Sequence, residues 1–243
     1  LNARQLAIFI DGWNFKYATY DAFGLRVDFG KLLAYLSRDS ILLRAYYYMG
    51  DWDDGAINAY VNMSSAESRD EVRRGLLADR DNQRRFMRFL ARNGYRVRSK
   101  PVRVFRTAEG QIQPKADMDL ELAIDMLTLA ERCDKHVLVS GDGDFAPLVD
   151  AVASRGVRVV VLSTQHYEAH RRANYRASDL LLDAADEFIP IEGIMDYIRR
   201  DQPEWRRESA PEAGNRREPV PVPPGEERKG EEPKGEEPKG EEP

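Results

Sequence analysis

The sequence predicts one α/β domain built on a mostly parallel sheet. Three observations predict it. Short apolar runs alternate along the chain with segments whose apolar residues recur at three- and four-residue steps. The runs are continuous rather than alternating, as in strands covered on both faces. Strand and helix signals succeed one another at spacings that suit right-handed crossovers.

The elements follow in order. Leu6–Ile10 is a continuous apolar run and reads as the first strand. Asp28–Ser37 reads as a helix, with Asp28 as a cap and Leu32, Leu33 and Leu36 as its stripe. Ile41–Met49 is the second strand, and its tyrosines Tyr46, Tyr47 and Tyr48 are expected to pack in the sheet rather than to stack on bases. Gly50–Arg69 is polar and reads as an irregular insertion or lid. Asp79–Asn93 is a helix with Phe86, Phe89 and Leu90 inward, closed by Gly94. Tyr95–Phe105 is strand-like, and Pro101 predicts a break or an edge position. Asp119–Glu131 is a helix with Leu122, Ala123, Met126, Leu127 and Ala130 as its buried stripe. His136–Ser140 is a strand, Phe145–Ser154 a helix that carries Pro147 in its first turn, and Val157–Leu162 a strand. A helix at Ser178–Ala185 and the short strand "FIPI" end the pattern.

The domain is expected to span residues 1–200. Residues 203–243 are dominated by Pro, Gly, Glu and Lys, and "KGEEP" occurs three times between Lys229 and Pro243. Such a composition cannot supply a core, so this segment reads as a disordered, solubilising tail.

Of 243 residues 42% are apolar and 33% charged, which suits a soluble globular protein. The apolar runs of five or six residues fall far short of the roughly 18 that span a membrane. The start "LNARQLAIFID" lacks the pattern of a secretion signal. The single cysteine, Cys133, excludes an internal disulfide, reads as a packed thiol, and suits a reducing, cytoplasmic setting. The net charge of −5 hides an uneven distribution, because Arg69–Arg106 holds 13 basic and 4 acidic residues, a net of +9. Arg84, Arg88 and Arg92 follow at four-residue steps within it and are candidate phosphate contacts, or else an ordinary solvated helix face.

The chemistry concentrates where strands stop. Asp11 ends the first strand, and Asp142 and Asp144 follow a later one in "SGDGDF". Ligands of open α/β sheets bind at the carboxyl ends of strands. If those two strands are neighbours, the three carboxylates converge, and Asp119, at a helix start, completes the cluster from one side. Each aspartate alone has a plainer reading: Asp144 and Asp119 as helix caps, Asp11 as a turn residue. Together they oppose one another's ionisation unless a cation joins them, and hard oxygen donors select Mg²⁺ or Mn²⁺. An acidic centre beside a basic surface suits phosphodiester hydrolysis. No GxxxxGK[ST], HExxH or EF-hand loop is present. His166 and His170 could share a helical face, but no third zinc ligand accompanies them.

"FIDGWN", "PKADMDLELAIDML", "VLVSGDGDFAPLV" and "GVRVVVLS" resemble, in this order, the motifs of the NYN domain family, in its LabA-like bacterial branch, among the PIN-like nucleases. The resemblance runs from Leu6 to about Ile191. It implies a Rossmann-like sheet with core strand order 3-2-1-4-5 and helices on both faces. It also implies metal-ligating, catalytic carboxylates at Asp11, Asp119, Asp142 and Asp144, with Asn14 and Ser140 as auxiliary polar residues. Many members carry Lys-Gly and one further residue before the helix Asp. Here the segment is Lys115-Ala116-Asp117-Met118-Asp119, which leaves Lys115 an auxiliary residue and Asp117 a rival or auxiliary ligand. Six residues on, Asp125 leaves the face of Asp119 by the 3.6-residue period and is expected to pair with an Arg or stay solvated.

The expected function is hydrolysis of RNA by a water that Mg²⁺ or Mn²⁺ activates. An RNA-binding regulatory or scaffold protein with little turnover is the alternative, and a metal-dependent phosphatase a weaker third. The sequence names no protein partner and leaves self-association open.

Overall fold

The first strand explains the architecture. In the computed structural model, which describes residues 4–108, 110–168 and 173–201, β1 (Gln5–Asp11) has five consecutive residues, Leu6 to Ile10, with no solvent exposure. Successive side chains point to opposite faces. Leu6, Ile8 and Ile10 pack in one core and Ala7 and Phe9 in another, so both faces of the sheet are covered. Burying a large aliphatic side chain fully is worth about 1.5–3 kcal/mol.

The chain continues through α1 (Gly12–Lys16), a π-helical turn at Tyr17–Asp21, α2 (Phe29–Leu36) and β2 (Ile41–Asp51). Asp28 caps α2 as expected, accepting from the Lys31 N–H at 3.0 Å. Then come α3 (Asp54–Met63), α4 (Arg69–Arg92), β3 (Tyr95–Pro101), and the antiparallel hairpin of β4 (Arg103–Arg106) and β5 (Ile112–Lys115). After these follow α5 (Asp119–Leu129), β6 (Lys135–Val139), a 3₁₀ turn at Gly143–Phe145, α6 (Ala146–Ala153) and β7 (Arg158–Ser163). The short pair β8 (Tyr167–Glu168) and β9 (Ala173–Asn174), α7 (Asp179–Ala184), β10 (Glu187–Pro190) and α8 (Met195–Ile198) complete the described chain.

The main sheet is wholly parallel, in the order β10-β7-β6-β1-β2-β3. Its five-strand core runs in the expected 3-2-1-4-5 order, and β10 extends it by a sixth strand beyond β7. The core on the Leu6 face takes residues from α2, α8 and the end of α4; that on the Ala7 face takes them from α5, α6 and α7.

Two expectations need correction. Gly50–Arg69 is mostly helix: Asp53 caps α3, and Ile57 and Val61 bury against Leu76 of α4 in a small separate core. The helix read as Asp79–Asn93 begins ten residues earlier, at Arg69. Its first half is charged and exposed except near Leu76, so apolar periodicity was too sparse there to mark a helix. The break at Pro101 stands as expected, since β3 ends there on the sheet edge and β4 starts after Val102. His166 and Tyr167–Glu168 lie on a loop and strand, not a helix, and His170 and the tail from residue 203 fall outside the described residues.

Candidate functional site

β1 and β6 are neighbours, so Asp11 and the loop after Val139 open on the same edge of the sheet. Asp11 ends β1 and caps α1 directly. Its Oδ1 accepts the backbone N–H groups of Trp13 at 3.1 Å and Asn14 at 3.2 Å. Its Oδ2 accepts from Asn14 Nδ2 at 2.7 Å and from Ser140 Oγ at 3.4 Å. Ser140 Oγ also accepts the Asp142 N–H at 3.2 Å, so this buried hydroxyl ties the two strand ends together. Asp142 caps the 3₁₀ turn, its Oδ1 accepting the Asp144 N–H at 2.9 Å. Ser178 packs closely against the loop because Gly143 has no side chain: a Cβ there would stand 2.5 Å from Ser178 Oγ.

From the other side, Asp119 opens α5, which packs against β1. Its N–H donates to Asp117 Oδ1 at 3.1 Å, and Asp117 Oδ2 lies 3.9 Å from Lys115 Nζ. The capping roles thus fall on Asp11 and Asp142, while the N-cap position of α5 is Met118, with no side-chain cap. Asp119 is the first helical residue and Asp144 sits within the 3₁₀ turn, which corrects the cap readings of those two.

The carboxylates at this edge influence one another's ionisation. Burial pushes the Asp11 carboxyl above its ordinary value, against the hydrogen bonds from Asn14 and Trp13, and the Asp142 charge adds to the rise. Asp119 is pushed up to about 7, first by burial, then by the charges of Asp117, Asp11 and Asp142. Asp142 therefore bears on Asp11, and Asp117, Asp11 and Asp142 bear on Asp119. Asp144 joins only through its backbone N–H, and its side chain is exposed.

The donor set is of hard carboxylate oxygens whose ionisation is opposed by burial and by one another, and a divalent cation offsets both. The residues present fit such an ion by chemistry. As the side chains stand, no three His, Cys, Asp or Glu residues among those described are grouped closely enough to hold one. Both amide-bonded sites on Asp11 Oδ1 are engaged, so the long Ser140 contact to Oδ2 is the one most readily exchanged.

Asp125 leaves the site as its spacing predicted: Arg98 grips both its oxygens, at 3.0 and 2.8 Å, and Tyr48 Oη donates to it at 3.0 Å. Tyr47 and Tyr48 are buried in the sheet, and Cys133 is buried with its thiol pushed up to about 11. Arg84, Arg88 and Arg92 are exposed and make no ion pair among the described residues. Gly94 turns the chain from α4 into the start of β3, so Arg92 stands at the sheet edge opposite the acidic site. The sequence reading passed over Trp13, which is 54% exposed beside Asp11 with Lys16 Nζ 5.5 Å from its ring.

The family model described as "NYN domain" matches residues 5–192. The chain belongs to the NYN domain family. Its parallel sheet and helices are the PIN-like fold of that family. A relative is the "Low amplitude and bright protein LabA" of Synechococcus elongatus, 30% identical over 202 residues, covering 82% of this chain and 89% of that protein. The fold also resembles the crystal structure of a protein of unknown function from Vibrio parahaemolyticus, with a TM-score of 0.56 and 24% identity over 82% of this chain and 97% of that one. The acidic edge described above lies wholly within the NYN match. Among the described residues no helix is long and apolar enough to cross a membrane.

Proposed function

We propose that this NYN protein is a Mg²⁺- or Mn²⁺-dependent ribonuclease. The observation that carries the reading is the juxtaposition of Asp11 and the Asp142 loop at neighbouring strand ends, joined through Ser140, with the Asp11 and Asp119 carboxyls raised by burial and by neighbouring acids. Asp11, Asp119 and Asp142 would hold the ion, with Asp144 and Asp117 the adjacent carboxylates. A bound divalent ion supplies positive charge for the phosphate and makes an attacking water more acidic. The chain's own residues do the positioning. Asn14 and the α1 amides fix the Asp11 carboxylate, and Ser140 joins it to the Asp142 loop. Arg84, Arg88 and Arg92 would contact phosphates of a long RNA. The proposed catalytic domain spans residues 1–200 of a cytoplasmic protein.

The test incubates purified protein with labelled RNAs in Mg²⁺, Mn²⁺ or EDTA, beside Asp11→Asn and Asp142→Asn. Cleavage that needs metal and fails in both variants is the expected result. Equal cleavage by wild type and variants identifies a contaminant. A second reading, an RNA-binding regulatory protein with little turnover, is favoured by the absence of a preassembled three-ligand group among the described residues. Metal-independent RNA binding with no cleavage of any RNA selects it.

A further inference from the structure

We propose that the β4–β5 hairpin is a binding arm for single-stranded polynucleotide, gripping a phosphate between Arg103 and Lys115 and stacking a base on Phe105. The proposal deepens the nucleic-acid reading of the acidic site and rests on it.

The hairpin register places Arg103 directly opposite Lys115 and Phe105 opposite Gln113. Directly opposed residues share a face, and alternate residues along a strand return to it. One face therefore carries Arg103, Phe105, Gln113 and Lys115, while Val104 and the buried Pro114 oppose each other on the other face. Phe105 is 40% exposed and Arg103 is exposed, with no hydrogen bond or ion pair among the described residues. Lys115 has only the loose 3.9 Å contact with Asp117, and its side chain is 63% exposed.

Two cations facing each other across a hairpin repel, with Cβ atoms roughly 5 Å apart. An anion seated between them removes the repulsion, and a phosphodiester offers two oxygens for the task. An aromatic ring on the same face suits an unpaired base, because stacking needs an open π-face that a duplex does not present.

The arm is also aimed and held. Its C-terminal strand leads from Lys115 through Ala116 to Asp117 and Asp119 of the acidic site. Its base is wedged on the end of β2: a Cβ on Gly50 would lie 2.6 Å from Ala116 Cβ and 2.9 Å from Val102 Cγ2. The Val102 N–H donates to the Asp51 carbonyl at 2.9 Å. Arg106 ties the far end to α3 by donating to the Met63 carbonyl at 2.6 Å. A preorganised arm loses little freedom on binding. The Arg84–Arg92 face, by contrast, runs away from the acidic edge.

The experiment measures binding in EDTA, so that it does not depend on cleavage. The full chain is titrated against labelled oligo(U), oligo(dT) and an RNA duplex of equal length, by fluorescence anisotropy over a range of salt. Arg103→Gln and Phe105→Ala are compared with the wild type. Both positions are exposed, and melting curves confirm that the variants fold. Phe105→Ala should weaken oligo(U) binding roughly 5- to 150-fold while leaving duplex binding unchanged. Arg103→Gln should reduce the log–log salt slope by about 0.7. The same losses with oligo(dT) assign the arm to phosphate and base; losses confined to oligo(U) add a contact to the ribose. Wild-type binding by both variants overturns the arm, as does displacement of the oligonucleotide by polyglutamate with no effect of either substitution. Arm-dependent binding without cleavage refutes the hydrolytic reading alone, and metal-dependent cleavage with variant-independent binding refutes the arm alone.

Discussion

Replacing Gly12 with Ala should displace the acidic site by a measurable amount. Gly12 follows Asp11 and is buried at the start of α1. An added Cβ would lie 2.5 Å from Tyr47 Cε1 and 2.6 Å from the Tyr48 carbonyl oxygen. Carbon atoms in contact sit about 3.5–4.0 Å apart, so roughly 1 Å must be gained. Neither neighbour gives way easily. Tyr48 pairs with Asp11 in the β1–β2 ladder, and Tyr47 is packed between Phe29 and Phe86. The start of α1 has to move, and with it the amides that hold Asp11. Overpacking of this kind costs about 1–3 kcal/mol. At about 2–4 °C per kcal/mol for a domain of this size, the melting temperature should fall by roughly 2–12 °C. Gly75→Ala is the matched control, because Gly75 lies in α4 with nothing within 4 Å of an added Cβ. That variant should gain about 0.5–1 kcal/mol. Thermal unfolding by circular dichroism reads both. A Gly12→Ala protein that melts with the wild type would refute the packing argument.

Asp125→Asn should cost about 1–3 kcal/mol by loosening the grip of Arg98 and Tyr48 while leaving Mn²⁺ affinity unchanged, read by denaturant unfolding and calorimetry. His136 is fully buried against Phe9, and burial pulls its ring down to about 4, although the Leu129 carbonyl favours the charged form. Its folded pKa lies below the unfolded value of about 6.5, so its contribution is complete above that pH and is lost as pH falls towards 4. His136→Phe should flatten that limb of a stability–pH curve. Asp119 has the opposite sign. Its folded pKa is raised, so its contribution is present below about 4 and lost as pH rises through 7, and Asp119→Asn should abolish that loss in metal-free protein.

The sheet was legible because its signal is local. Runs such as Leu6–Ile10 and Val157–Leu162 are buried on both faces and show it by being continuous. The adjacency of β1 and β6 was not local, and came from the family resemblance. α3 was hidden because Asp53, Asp54 and Gly55 look like a loop, although Asp53 caps the helix and Ile57 and Val61 give its face. Strand-end spacing points to Asp11, Asp142 and Asp144 alike, and cannot rank Asp117 against Asp144. That depends on how α5 seats against β1, a tertiary fact that half-buries Asp119, sets the charge of the exposed Asp117 beside it, and leaves Asp144 exposed without such an effect on Asp119. The hairpin was half-visible: Pro101 marked the break, while the turn at Gly110, whose φ is +83°, went unread.

The central claim is that the carboxylates at the ends of β1, β6 and the start of α5 form a divalent-ion site. Isothermal titration calorimetry with Mn²⁺ tests it most directly, on the wild type and on Asp142→Asn, with circular dichroism confirming the fold of each. Asp142 is the measured position because its charge bears on both Asp11 and Asp119. Saturable Mn²⁺ binding by the wild type and a sharp loss of affinity in Asp142→Asn are the expected results. Equal affinity in the two folded proteins would contradict the claim.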